Sequence, residues 1–162
     1  MPAVALEPQL VDRASRAPEG ESWIHEIKYD GYRLLASVQR GKVWLYSRSG
    51  ADWTTRLPWI AQAVGSLGLR DLHLDGELVY LDDDGLPDFE RLWSATRSGD
   101  EQARLYYQIF DVLRLKEKDL TATPLIERRD RLVELLRDGR GEPRATVRFS
   151  RCRKRRGVLQ CR

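Results

Sequence analysis

Hydrophobic and polar positions along this chain alternate in short blocks that are separated by turn-forming residues. Alternation with a period of two, or a short apolar run between turns, is typical of a β-strand. Dipeptides such as Asp30-Gly31 and Arg40-Gly41 fall between blocks, as expected of tight turns that join neighbouring strands. The predicted strands are Trp23–Lys28, Tyr32–Gln39, Lys42–Ser47, Leu72–Leu81, Leu105–Val112 and Thr146–Phe149.

Three other segments place apolar residues three or four positions apart, which predicts helices. They are Arg56–Gly65, a short segment after Asp88, and a segment that begins at Pro124 and continues through Arg137. Asp88 is a typical N-cap residue, and proline is favoured in the first turn of a helix. Strands in hairpin-like pairs with helices inserted between them predict an α+β domain dominated by antiparallel sheet.

Length and composition exclude several classes of protein. The 162 residues suit one domain, and 41% hydrophobic with 33% charged residues is unlike a disordered chain or a membrane protein. No apolar run is long enough to span a bilayer, and the N-terminus lacks the basic and apolar regions of a secretory signal. Residues 1–150 contain no cysteine and so need no oxidising compartment. We therefore expect a cytoplasmic protein.

The net charge of +3, with a pI near 9.0, first suggests a nucleic-acid partner. Its distribution changes that interpretation. Residues 151–162 hold six basic residues, no acid and both cysteines. The other 22 basic residues lie in residues 1–150 together with all 25 acidic ones, so the body of the protein carries a charge of −3.

One lysine stands where a catalytic amine could be held. Lys28 ends the first predicted strand, just before the Asp30-Gly31 turn. A lysine acts as a nucleophile only when deprotonated, and a nearby cation such as Arg33 favours that state. The alternative is a surface lysine beside a common turn.

Three further segments carry polar groups at strand ends or inside apolar strands. Arg48 follows the third strand, in Ser47–Gly50, although such a segment alone is more often a turn. Glu77 lies in the apolar run Leu74–Leu78, where a buried carboxylate needs a cation or hydrogen-bond donors. The alternative for Glu77 is a hairpin turn at Asp75-Gly76 that leaves it facing water. Phe110 taken alone would be a core residue.

The order K-x-D-G-x-R, S-R-x-G, D-G-E and F-D, over about eighty residues, resembles the lysine-adenylylating nucleotidyltransferases. These include ATP-dependent DNA ligases, RNA ligases and mRNA capping enzymes. The phrases PEGESWIHEIKYDGYRLLA, SRSGADWT and LDGELVYLDDDGLPDF are most similar to the ligase module of bacterial non-homologous end-joining ligases. The resemblance covers residues 8–150 and implies an ATP-grasp-like adenylation domain, rich in antiparallel sheet and incomplete at its C-terminus.

The resemblance also implies a role for each matching residue. Lys28 would attack the α-phosphate of ATP and form a lysyl-AMP adduct. Glu26 and the backbone of Ile27 would face the adenine edge, and Phe110 would stack on the purine ring. The AMP would then pass to a 5′-phosphate at a break in double-stranded DNA, where a 3′-OH would displace it.

The remaining matches would hold the sugar and phosphates. Arg33 would contact the ribose or its 3′ side, and Arg48 the nucleotide sugar or phosphate. Glu77 would contact the ribose and help to hold a divalent metal, either Mg²⁺ or Mn²⁺. Glutamate and phosphate oxygens suit a hard cation such as Mg²⁺.

Two later motifs of that family have no match after Phe149: an E-G-x-x-x-K strand and a final K-x-K. The DNA-clamping OB-fold domain is also not found. The implied organisation is a surface segment over residues 1–22, a partial adenylation domain over 23–150, and a basic tail over 151–162.

One choice of codons for the tail, read one base later, encodes A-V-G-S-G-G-A-F-F-N-A, so the tail could be frameshifted. The alternative is a genuine basic arm for nucleic acid.

Three functional hypotheses follow from these features. The first is a truncated ATP-dependent DNA ligase whose intact form repairs DNA, with end-joining proteins as partners and polymerase or nuclease modules fused to it in some members. The second is a non-catalytic remnant, or a module that binds a nucleotide or a partner. The third, ranked lower, is an RNA ligase or a capping-type nucleotidyltransferase.

Overall fold

The computed structural model describes most of the chain between residues 28 and 138 and parts of both ends. The described residues are 7–10, 12, 15–16, 18–20, 23, 26, 28–97, 104–138, 147–149, 152–155 and 158–161. Within them, one sheet of six strands is joined by three helices. The strands are β1 (Tyr32–Gln39), β2 (Lys42–Ser47), β3 (Leu72–Tyr80), β4 (Leu105–Leu115), β5 (Lys118–Asp119) and β6 (Val147–Phe149). The helices are α1 (Pro58–Ser66), α2 (Phe89–Ala95) and α3 (Leu125–Asp138).

The sheet confirms the predicted α+β class with antiparallel pairing. The spatial order is β2-β1-β3-β4-β5, and each neighbouring pair along this path is antiparallel. The exception is β6, which pairs with β4 in parallel. The bounds of β1 and β2 are those predicted, and Asp88 caps α2 by accepting a hydrogen bond from the Arg91 amide.

The prediction of a strand at Trp23–Lys28 is wrong at every described residue of that segment. Trp23, Glu26 and Lys28 lie in no strand, whereas Ile24, His25 and Ile27 lie outside the described residues. Apolar alternation at those positions was therefore not enough, because a strand also needs a neighbour with which to pair.

Three elements were not predicted. The short strand β5 follows a turn at Lys116, whose φ is 55°, and neither of its two exposed residues carries an apolar signal. Two strands in the basic tail, β7 (Cys152–Arg155) and β8 (Val158–Cys161), pair with each other as an antiparallel hairpin.

The core lies between one face of the sheet and the helices. Alternate residues of β1 and β3, among them Leu34, Ala36 and Leu74, are fully buried together with Ile60 and Val64 of α1. The same alternation turns the residues between them towards the opposite face of the sheet. Among the residues that the structure describes, no helix is both long and apolar enough to cross a bilayer.

Two glycines allow strands and turns to approach closely. A Cβ atom on Gly76 would lie 2.5 Å from the carbonyl oxygen of Gln108 and 2.6 Å from the ring of Tyr107. A Cβ on Gly31 would clash with the carbonyl oxygen of Leu78. The Gly of D-G-E therefore has a packing function in the middle of β3, where the aromatic ring on β4 occupies the space of a side chain.

We expect Gly76→Ala to lower the free energy of unfolding by about 1–3 kcal/mol, because the added methyl group meets backbone and ring atoms that cannot both move away. Urea unfolding followed by circular dichroism measures the change. Gly65→Ala in α1 is the matched control. Its new Cβ would meet Val43 at an ordinary 3.6 Å, and alanine favours a helix over glycine by about 1 kcal/mol. Equal losses in the two variants would contradict this account.

Candidate functional site

A cavity of about 510 Å³ opens at the end of the sheet where β1 begins and β2 ends. This volume lies within the range of roughly 300–1,000 Å³ that is typical of ligand pockets. Three residues that the sequence predicts as site residues, Arg33, Arg48 and Glu77, come together in its wall. The other lining residues are Gly31, Tyr32, Ser47, Ser49 and Trp53.

Backbone hydrogen bonds hold the loop after β2 in a tight turn. The Ser47 amide donates to the Ala51 carbonyl at 2.9 Å, and the Gly50 amide donates to the Ser47 carbonyl at 2.9 Å. Gly50 has φ 83°, which suits glycine. Trp53 then returns to β2 through a hydrogen bond to the Leu45 carbonyl. The loop thus holds the exposed Arg48 on one side of the cavity and the Trp53 ring on another.

Arg33 is bound by a fully buried carboxylate. Its Nε and Nη2 atoms donate to the two oxygens of Asp75, each at 2.6 Å, and Nη2 also donates to the Gln9 carbonyl at 3.1 Å. The Asp75 side chain is 0% exposed. Burial raises the pKa of the Asp75 carboxyl, while the bidentate contact with Arg33 opposes that rise. Arg33 is therefore fixed by an ion pair before any ligand arrives.

A second buried ion pair lies next to the first. Asp111 is the register partner of Asp75 on β4, and both of its oxygens accept from Arg128 of α3, at 2.9 and 2.7 Å. The Val112 amide also donates to Asp111 at 2.8 Å. Two carboxylates are thus adjacent inside the protein, and each has its own arginine.

Phe110 owes its placement to a β-bulge. Gly76 pairs with Ile109, and Asp75 pairs with Asp111, so Phe110 is the extra residue on β4. Bulges re-aim a side chain and are frequent near functional sites. The Arg33 guanidinium carbon lies 4.7 Å from the centre of the Phe110 ring. Phe110 is partly exposed beside the pocket and is not a core residue.

Glu77 faces Arg33 directly across the β1–β3 pair. The pKa of Glu77 is raised to about 7, chiefly by burial and also by the charge of Asp75, although the charges of Arg33 and Lys28 and a backbone hydrogen bond to Gly31 lower it. The alternative of a hairpin turn at Asp75-Gly76 is wrong, because β3 continues unbroken through both residues.

Lys28 and Glu26 are not among the residues that line the cavity. The Lys28 side chain is 88% exposed and 3.7 Å from Asp30, which matches the simpler interpretation of a surface lysine in this conformation. Its charge nevertheless acts on Glu77. Glu26 forms an ion pair with Arg129 of α3. Ile27 lies outside the described residues, so its predicted contact with adenine stays a prediction.

The donor atoms at the cavity suit a metal that arrives with phosphate groups. Within the described part of the chain, no three His, Cys, Asp or Glu side chains are grouped closely enough to hold a metal alone. Asp75 is engaged by Arg33, so Glu77 is the carboxylate that the cavity offers. Mg²⁺ is commonly held by one or two carboxylates together with substrate phosphates, and this donor set fits that pattern.

Sequence reasoning missed two groups of residues. The first is the aromatic wall formed by Tyr32 and Trp53, whose rings lie 5.6 Å apart. The second group consists of Asp75, which binds Arg33, and Arg128, which binds Asp111. An aspartate inside an apolar strand was a usable signal for Asp75, but the predicted carboxylate was Glu77, two positions later on the same face.

Comparison with known proteins shows the family to which the chain belongs. A family model described as the ATP dependent DNA ligase domain matches residues 2–155, and the chain therefore belongs to the ATP-dependent DNA ligases. It is 43% identical over 145 residues to the multifunctional non-homologous end joining protein LigD of Pseudomonas aeruginosa. The aligned region covers 90% of this chain and 17% of that protein. A DNA ligase of Pyrobaculum calidifontis is 37% identical over 152 residues, covering 85% of this chain and 26% of that protein.

Solved structures show the same fold. The ligase domain of M. tuberculosis LigD superposes with a TM-score of 0.63 at 35% identity, over 74% of this chain and 38% of that one. A mycobacterial DNA ligase D complexed with ATP and MES gives a TM-score of 0.64 at 34% identity, over 76% and 38% of the two chains. The chain thus spans about a sixth to a quarter of the curated relatives that it matches.

We expect Arg33→Met to cost about 3–5 kcal/mol of stability, because it leaves the buried Asp75 carboxylate without its cation. Arg48→Met is the matched control, at another residue that lines the same cavity. Arg48 is exposed, so its loss should change stability by no more than about 0.5 kcal/mol. Thermal and urea unfolding of both variants measure the difference, and a similar small change in both would show that the Arg33–Asp75 pair is not stabilising.

Glu77 should make the protein less stable as the pH rises. Its pKa of about 7 in the folded chain lies above the ordinary value of 4.5, so the folded state holds the proton more tightly than the unfolded state does. The resulting stabilisation is complete below pH 4.5 and disappears as the pH rises through 7. In metal-free buffer, the wild type should lose free energy of unfolding relative to Glu77→Gln as the pH rises from about 4.5 to about 8. The difference should be about 1–2 kcal/mol after allowance for solvent screening. Parallel stability curves for the two proteins would exclude this effect.

Proposed function

We propose that this chain carries the nucleotide-binding part of a DNA ligase adenylation domain and that Lys28 is its nucleophile. The Lys28 amine would attack the α-phosphorus of ATP. A nitrogen–phosphorus bond would form as the bond to the bridging oxygen of pyrophosphate breaks, and the amine would lose a proton. The products would be pyrophosphate and a lysyl-AMP phosphoramidate.

The observation that carries this proposal is the convergence of Arg33, Arg48 and Glu77 on one cavity of about 510 Å³. Each belongs to a different one of the four sequence motifs, and they come from β1, the loop after β2, and β3. Two arginines suit an anionic, sugar-bearing ligand, because guanidinium groups bind phosphate and hydroxyl oxygens. Lys28 lies three residues before Gly31, which lines the same cavity.

Each side chain has a distinct part in binding ATP. The Nε and Nη2 atoms of Arg33 are bonded to Asp75 and Gln9, so Nη1 would meet the ribose or its 3′ side. Arg48 would pair with the sugar or phosphates. Phe110, already covered by Arg33 on one side, would stack on the purine, and Glu26 with the Ile27 backbone would face the adenine edge.

Mg²⁺, or Mn²⁺ in its place, would neutralise phosphate charge when it is bound. Glu77 would supply a carboxylate oxygen to the metal and a contact to the ribose. Because the Glu77 carboxyl titrates near neutral pH, a cation at this position would favour its ionised form.

The acceptor that we propose is the 5′-phosphate at a nick or break in double-stranded DNA. Both LigD proteins named above are described as end-joining or ligase proteins, which supports this choice over an RNA acceptor. We propose end-joining proteins as partners and the bacterial cytoplasm as the location.

For the chain itself, we propose that residues 23–150 form a partial adenylation domain, preceded by a surface segment over 1–22. The basic tail over 151–162 would then be read in a shifted frame. The family match reaches residue 155, five residues into that tail. Sequencing the locus tests the idea, since downstream DNA should encode E-G-x-x-x-K in another frame.

One observation favours a second candidate function, a module that binds nucleotide without chemistry. The Lys28 side chain is 88% exposed and is not among the residues that line the cavity. A nucleophile must come within about 3–3.5 Å of the reacting atom in a productive complex. In the leading proposal, the phosphate groups of bound ATP would draw the flexible lysine side chain into the cavity.

We expect the chain to become labelled when it is incubated with Mg²⁺ and ATP that carries ³²P at the α-phosphate. Lys28→Arg should abolish labelling, because a guanidinium is not nucleophilic at neutral pH.

Lys42→Arg, at an exposed position on β2, is the matched control and should keep full labelling. Binding of a fluorescent ATP analogue is measured on the same samples. Analogue binding without label in the wild type would favour the non-catalytic module, whereas equal labelling of wild type and Lys28→Arg would exclude Lys28 as the nucleophile.

A further inference from the structure

We propose that Arg128 of α3 is a positioning residue for the nucleotide cavity, although it does not line that cavity. The expected effect on ATP binding rests on the proposed function, whereas the expected effect on Arg33 does not. Arg128 would act through Asp111 and Asp75, and so determine where Arg33 and Phe110 lie.

The first step is the burial of two like charges side by side. Asp75 and Asp111 are register partners on β3 and β4, and their residues are 0% and 3% exposed. Adjacent buried carboxylates repel each other unless each has its own counter-charge. Arg33 supplies that charge for Asp75, and Arg128 supplies it for Asp111.

The second step is the rigid placement of Arg128. Its Nε and Nη2 atoms donate hydrogen bonds to Asp111. Its Nη1 atom donates to the carbonyl of Thr123, which lies just before the start of α3, at 2.5 Å. The residue is 6% exposed. A planar guanidinium makes all three contacts at once, whereas a lysine ammonium cannot reproduce the bidentate grip. The start of α3 is therefore tied directly to the bulge on β4.

The third step leads into the cavity. Phe110 immediately precedes Asp111 and is the extra residue of the bulge, so the position of Asp111 determines how the Phe110 ring is presented. The same ring lies under the Arg33 guanidinium. Without Arg128, Asp75 and Asp111 would both depend on Arg33, which would draw Arg33 away from its place over the Phe110 ring.

The test compares Arg128→Gln, the double variant Arg128→Gln/Asp111→Asn, and Arg104→Gln. Arg104 forms an exposed ion pair with Asp83 and serves as the control for the loss of an arginine. The first readout is the NMR signal of the Arg33 Nε–H group, assigned through its absence in Arg33→Lys. This signal reports the contact with Asp75 and needs no nucleotide. The second readout is the Kd for a fluorescent ATP analogue.

We expect Arg128→Gln to shift the Arg33 signal and to weaken analogue binding about tenfold, or about 1.4 kcal/mol. The double variant removes both members of the pair and should restore the signal and bring the Kd to within about threefold of the wild type. Arg104→Gln should change neither. A purely structural role for Arg128 would leave the Arg33 signal of the folded single variant unchanged.

An unchanged Arg33 signal in folded Arg128→Gln, or a double variant as impaired as the single one, would overturn the proposal. If neither glutamine variant folds, Arg128→Lys decides the matter: it should weaken analogue binding about twofold to threefold, and wild-type values for both readouts would refute the positioning role. A wild-type chain that binds no analogue would contradict the proposed function, while the Arg33 signal would still decide the role of Arg128.

Discussion

Two aspartates that face each other across neighbouring strands impose the main constraint on this structure. Asp75 and Asp111 are buried, adjacent and of like charge, so the fold must bring an arginine to each. Arg33 arrives from β1 on one side, and Arg128 arrives from α3 on the other. The arrangement therefore ties three strands and a helix together through charge. An apolar pair at these positions would make no directional contact with Arg33 or Arg128.

The same constraint prepares the cavity. Arg33 is costly to bury, and its bond to Asp75 holds the guanidinium rigid while one edge remains directed at the pocket. A preorganised cation loses less entropy on binding an anion than a mobile one does. Arg48 and Lys28 stand in contrast, since both are exposed on segments outside the strands. Under the proposed function, the site would therefore combine one fixed positive charge with two exposed ones.

Local signals in the sequence predicted local structure well. Turn residues and alternation predicted the bounds of β1 and β2. The motifs indicated Arg33, Arg48 and Glu77, which line one cavity. What depends on pairing across the chain was not predictable. The Arg33–Asp75 contact joins residues 42 positions apart, and the bulge at Phe110 is a property of register rather than composition. The strand expected at Trp23–Lys28 failed for the same reason, because alternation alone does not reveal a pairing partner.

Tyr107 has a consequence for how the sheet opens. Its ring lies against Gly76 on β3, and its hydroxyl donates to the Leu34 carbonyl on β1 at 3.0 Å, so one side chain on β4 bridges three strands. Separating β4 from the sheet would break the hydrogen bond of the buried Tyr107 hydroxyl and would also remove its ring from the space beside Gly76. The central amides of β1, β3 and β4 should therefore exchange with deuterium as a single cooperative unit, slower than those of β2 at the edge of the sheet.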